Sequence, residues 1–147
     1  MVRLIQELVS CNSIIFIGGI LRCFIYFNPN PEGKSVGDCV VRALSKALNK
    51  PWEYVYLALT VQGFMMGDWG NANSVWGAYL KHLGYRKYSS PDSCPDCYTV
   101  KDFCRDYPVG TYILGIGDHA VCVKDGDYYD AWDSGREVPV FYFKKEE

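Results

Sequence analysis

Apolar positions change their period along the chain, and the change divides it in two. From Cys39 the residues Val40, Val41, Leu44, Ala47 and Leu48 recur at helical spacing. Asp38 stands at the N-cap position, and Asn49 with Pro51 ends the helix. Pro51 also suits the first turn of a second helix, "PWEYVYLALTVQ", with Gly63 expected to close it. "GFMMGDWGNAN" then reads as a loop. "SVWGAYLKHL" reads as a third helix with Gly84 as its stop. "YSSPDSCPDC" is a polar connector. "TVKDFCRDY" is a short helix, with Thr99 as N-cap and Asp102 in the capping-box position.

Beyond Pro108 and Gly110 the alternation shortens to that of strands: "TYILGI", "HAVCVK", "YYDAW" and "VPVFYF". Asp125-Gly126, between the second and third, signals a tight hairpin. Helices first and strands last predict an α+β domain, with the helices packed on one face of a C-terminal antiparallel meander.

Upstream, "NPNPEGKSVG" (Asn28–Gly37) is loop. "SIIFIGGILRCFIYF" (Ser13–Phe27) is strongly apolar but interrupted by Gly18-Gly19 and Arg22. It is shorter than the ~20 residues of a membrane helix, and no small-residue cleavage site follows it. Two short strands around the glycines, or a buried helix, are expected rather than an anchor. Residues 1–27 are therefore set apart as an apolar segment preceding a domain over 28–147.

Composition narrows the function. In 147 residues, 49% are hydrophobic and 16% aromatic, enough for one packed core. The net charge of -2, without a basic run, argues against a nucleic-acid partner. Seven cysteines, without framework spacing, fit a reduced cytoplasmic protein better than a secreted disulfide scaffold.

Chemistry concentrates on "SVGDCVVRAL". Cys39 opens a helix, where partial positive charge and free N–H groups stabilise a thiolate. Gly37 lets a substrate carbonyl approach, and the Cys39 N–H is an oxyanion donor. Asp38 opposes the anion, so a positive partner is needed. Of the two histidines, His82 sits on a helix flank beside Lys81, whereas His119 starts a strand. At a sheet rim His119 can take the thiol proton. A two-residue turn at Asp125-Gly126 pairs Lys124 with Asp127 and Val121 with Asp130, which places Asp130 diagonal to His119. A three-residue turn instead pairs His119 with Asp133.

A cysteine at a helix start, a histidine on a strand and an Asn or Asp on the next strand resemble the papain-like cysteine peptidase superfamily. "DAW" (Asp130–Trp132) is similar to the Asn-Ser-Trp run after the papain histidine. The resemblance implies a papain-like fold, Cys39 as nucleophile, His119 as general base, Asp130 as orienter, and Trp132 shielding the His–Asp contact. "GDCVVRAL" also resembles the cysteine helix of ovarian-tumour-type deubiquitinases, through Arg42-Ala43. Val36 stands where that family has an aspartate, and Gly33 where papains have the glutamine before the cysteine. Asn28 or Asn30 is the candidate side-chain oxyanion donor in its place. From Asn28 onward the chain resembles compact papain-like proteins of phages and Firmicutes.

The expected activity is thus a thiol hydrolase, a peptidase, isopeptidase or amidase, acting on a peptide or protein without a cofactor. Two alternatives remain: a catalytically inactive papain-like domain that binds proteins, and a binding module stabilised by zinc at Cys94, Cys97 and Cys104. "CPDC" is half of a zinc site at most, since a second pair is missing.

Overall fold

The computed structural model describes residues 24–92 and 96–147. Ten elements follow one another: β1 (Phe24–Tyr26), α1 (Cys39–Leu48), α2 (Trp52–Met66), α3 (Asn73–His82), β2 (Tyr85–Ser89), α4 (Val100–Asp106), β3 (Thr111–Ile116), β4 (His119–Lys124), β5 (Asp127–Asp130) and β6 (Phe141–Lys145). The class is α+β, with four helices and one six-stranded sheet in the order β1-β5-β4-β3-β6-β2.

The sheet is mixed rather than purely antiparallel. β1 pairs in parallel with β5, Phe24 opposite Tyr128 and Tyr26 opposite Asp130, so the end of the upstream apolar segment forms a sheet edge. Residues 13–23 of that segment lie outside the described residues. The meander is also broken. The chain after β5 crosses to the far side of β3, where β6 pairs with both β3 and β2. β2 was not expected: Tyr85, Arg86 and Lys87 are too polar to signal a strand, and pairing with β6 supplies what the side chains do not.

Helices cover both faces, not one. Side chains alternate across β3 and β4, and both sets are apolar. Ile113, Ala120 and Cys122 join Val40, Leu44, Val55, Leu59, Trp76 and Leu80 under α1–α3. Leu114, Ile116, Val121 and Val123 join Phe103, Cys104 and Tyr128 on the opposite face, beneath α4. This two-sided burial is why "TYILGI" and "HAVCV" are nearly continuous apolar runs.

Local signals fix several boundaries. Asn49 caps α1 in the left-handed conformation. Thr99 and Asp102 form a reciprocal capping box on α4, with N–H···O distances of 3.2 and 2.9 Å. Asp125 and Gly126 both have positive φ, 51° and 84°, as a type I′ turn requires. Gly63 does not end α2. The helix continues to Met66, and Gly67, at φ 68°, is its left-handed cap. Gly63 is instead a point of close approach: a Cβ there would lie 2.5 Å from the carbonyl oxygen of Asp68 and 3.0 Å from the Gly70 nitrogen. The loop after α2 therefore folds back tightly onto the helix.

Among the described residues, no helix is long and apolar enough to cross a membrane.

Candidate active site

Cys39 is the first residue of α1, and its position is set by the helix behind it. Val40, Val41 and Leu44 are buried against the sheet. At about 1.5–3 kcal/mol for each such side chain, they hold the N-terminus of α1 over one rim of the sheet. The β3–β4 hairpin turns at that rim. Gly117 adopts φ 51° and, with Asp118, forms the two-residue turn that sets His119 opposite Ile116. The Cys39 Sγ lies 4.0 Å from the Asp118 carbonyl oxygen. Cys39 and His119 border the same cleft, of about 770 Å³.

The β4–β5 register decides which carboxylate meets the histidine. Lys124 pairs with Asp127, Val123 with Tyr128 and Cys122 with Tyr129. This is the two-residue turn, and it delivers Asp130 to the rim. The His119 Nε2 is 2.6 Å from Asp130 Oδ2, which leaves Nδ1 for the sulfur. Asp133 is engaged elsewhere. Its Oδ1 accepts from the Tyr128 hydroxyl at 2.5 Å and from the Gly135 N–H at 3.1 Å. The structure therefore brings Cys39, His119 and Asp130 together and leaves Asp133 out.

Asp130 is only 1% exposed, and polar groups hold both of its carboxylate oxygens. Ser134 Oγ donates to Oδ2 at 2.7 Å, and the Ala131 N–H to Oδ1 at 2.7 Å. The Arg42 guanidinium reaches Oδ1 at 3.3 Å from α1. Arg42, itself 6% exposed, pairs through its other terminal nitrogen with Asp38. Asp38 also accepts from the Trp52 Nε1–H at 2.8 Å. It occupies the N-cap position without a side-chain cap hydrogen bond, because its carboxylate is committed to Arg42 and Trp52. The negative charge that opposes a thiolate is thereby neutralised.

These contacts set the ionisation of the cluster. Burial pushes the Cys39 thiol up, but hydrogen bonds from His119 and the Ala120 backbone, with the charges of His119 and Arg42, outweigh it and hold the thiol below its ordinary value. Burial opposes protonation of His119, yet hydrogen bonds to Asp130 and Cys39 raise it to about 9. Burial likewise opposes the Asp130 carboxylate, and hydrogen bonds from His119 and Ser134 hold it below the usual range. The directions agree: the cluster favours a thiolate–imidazolium pair braced by a carboxylate. The Trp132 ring lies beside His119, with ring centroids 5.0 Å apart.

The expected side-chain oxyanion donors are elsewhere. Asn28 Nδ2 donates to the Lys34 carbonyl at 3.2 Å, and Asn30 Oδ1 accepts from the N–H groups of Glu32 and Lys34. Both residues brace the loop preceding α1, and neither borders the Cys39 cleft. Asn71 does border it, carried in by the loop that Gly63 and Gly70 allow to pack against α2. Nothing in "GNAN" marks that residue for the site. Arg42 was more legible: it stands four residues after Asp38, the spacing of a helical ion pair. Ser134 carries no sequence signal.

Among the described residues, no group of three or more histidines, cysteines, aspartates or glutamates could hold a metal ion. Cys94 lies outside the described residues, Cys97 is exposed, and Cys104 is buried in the core beneath α4. No family model, curated protein or solved structure matches this chain.

Proposed function

We propose that this chain is a papain-like thiol hydrolase that cleaves a peptide, isopeptide or related amide. The observation that carries the reading is the unbroken line from Cys39 at a helix start, through His119, to a buried Asp130 at 2.6 Å. Its order along the chain, from helix to strand to next strand, is that of the superfamily the sequence resembles.

His119 Nδ1 takes the Cys39 proton. The thiolate attacks the substrate carbonyl, forming a C–S bond, and the carbonyl oxygen becomes an oxyanion. The Cys39 N–H at the start of α1 donates to it, where free helix N–H groups point. Asn71, which borders the cleft, is the candidate side-chain donor. The imidazolium then gives its proton to the leaving nitrogen as the C–N bond breaks. Water, deprotonated by His119, hydrolyses the thioester and restores the thiol. Asp130 keeps the ring oriented and offsets its charge throughout.

The test is selective alkylation. Iodoacetamide at neutral pH is expected to label Cys39 ahead of Cys97, the exposed cysteine among the described residues, and the preference is lost in His119→Ala. Equal labelling of the two, or undiminished Cys39 reactivity in His119→Ala, sinks the hydrolase and leaves a catalytically silent binding domain.

A further inference from the structure

Helix α2 is apolar on nearly every side, yet it buries only Val55, Leu59 and Gly63. A helix apolar all round is normally enclosed. Here Phe64 is 87% exposed, and Trp69, just past the helix, is 82% exposed. With Val36, Val40, Trp52 and Tyr56 they border a groove of about 790 Å³ beside α1. That volume lies within the ~300–1,000 Å³ typical of ligand sites.

The groove runs into the Cys39 cleft. Val36, Gly37 and Asn71 border both, whereas Asp118, His119 and Trp132 border the cleft alone. This asymmetry gives a direction. The imidazolium delivers its proton to the leaving nitrogen, so the leaving segment lies over His119 and Trp132. The acyl segment runs the other way, across Gly37, where the backbone carries no side chain to block it.

Among the described residues, the rim offers an acidic occupant no cation that is without a carboxylate partner. Lys34 pairs with Glu32, and Asp68 accepts from the Ser74 hydroxyl and the Trp69 N–H. An acidic occupant would lose water, face the Asp68 carboxylate and gain no partner. Resting on the thiol-hydrolase reading, we infer that this groove binds an apolar run of at least two residues on the acyl side of the scissile bond of a peptide substrate.

Two peptidyl electrophiles test it, both with glycine at the reactive end: acetyl-Phe-Leu-Gly chloromethyl ketone and acetyl-Glu-Glu-Gly chloromethyl ketone. In each the thiolate displaces chloride as the C–S bond forms. The apolar probe is expected to alkylate Cys39 about tenfold faster or more. In the double variant Phe64→Ser, Trp69→Ser the two rates should fall to within about twofold of each other. Both side chains are exposed, so the fold is retained, and iodoacetamide, too small to reach the groove, labels variant and parent alike. Equal rates for the two peptidyl probes, alongside rapid iodoacetamide labelling, overturn the groove and leave the hydrolase standing. Unselective iodoacetamide labelling overturns both. Sedimentation showing a dimer that the double variant dissociates, without discrimination between probes, assigns the face to a second copy and overturns the inference.

Discussion

The Nε2 of His119 lies 2.6 Å from Oδ2 of Asp130, and that carboxylate has almost no access to water. The pair raises the histidine to about 9. A group raised on folding lends stability that is fully present below its unfolded value and disappears as pH rises through its folded one. The histidine's contribution to thermal stability is therefore expected to decline between about pH 6.5 and 9. Asp130→Asn removes the charge that raises His119, flattens this decline, and lowers the midpoint of the His119 ring-proton titration by NMR. An unchanged midpoint would show that Asp130 does not govern the histidine.

The acid side of the profile belongs to other groups. Asp130 is held below the usual carboxylate range, so its contribution is present above the unfolded value and is lost as pH falls through the folded one. Cys39 is also lowered, and its alkylation rate is expected to reach half its plateau below pH 9, the ordinary thiol value. In His119→Ala burial remains while the imidazolium is gone, so the midpoint moves upward. Rate–pH curves for the two proteins that coincide would contradict the ion pair.

Arg42 joins the helix bearing the cysteine to the strand bearing the carboxylate, with Asp38 on one side and Asp130 on the other. Arg42→Met keeps much of the volume but leaves the buried Asp38 without its cation and Asp130 with His119 alone. A loss of about 3 kcal/mol in denaturant unfolding is expected. Arg42→Lys should recover part of it, since a point charge cannot span both carboxylates.

Asn71 is exposed at the cleft and supports no core packing. Asn71→Ala is expected to lower kcat by about 10²-fold with KM and Tm little changed, as removal of an oxyanion donor does. A rise in KM at constant kcat would instead make Asn71 a ground-state contact.

Gly63 allows the Asp68–Asn71 loop to lie against α2 through backbone contacts that no rotamer change can relieve. Gly63→Ala is expected to cost about 1–3 kcal/mol. It should also displace Asn71, so that activity falls more than at Gly84→Ala, where a Cβ meets nothing within 4 Å and only the positive φ is strained.

The sequence by itself determined the elements whose causes are local. Helical spacing after Cys39, the Thr99–Asp102 box and the Asp125-Gly126 turn each rest on residues a few positions apart, and each forms as the pattern dictates. The hairpin is also why Asp130 was legible: a two-residue turn with positive φ fixes the register, and register fixes which carboxylate reaches the rim. Only the tertiary structure decided the rest. Tyr85–Ser89 is a strand because β6 offers it a partner, and α4 covers a second apolar face that alternation alone could not allot to a layer. Asn71, Ser134 and the reach of Arg42 to Asp130 depend on segments distant in sequence converging at one rim. Such convergence is driven by burial of apolar surface, which is non-directional and leaves no mark on the polar residues it carries along.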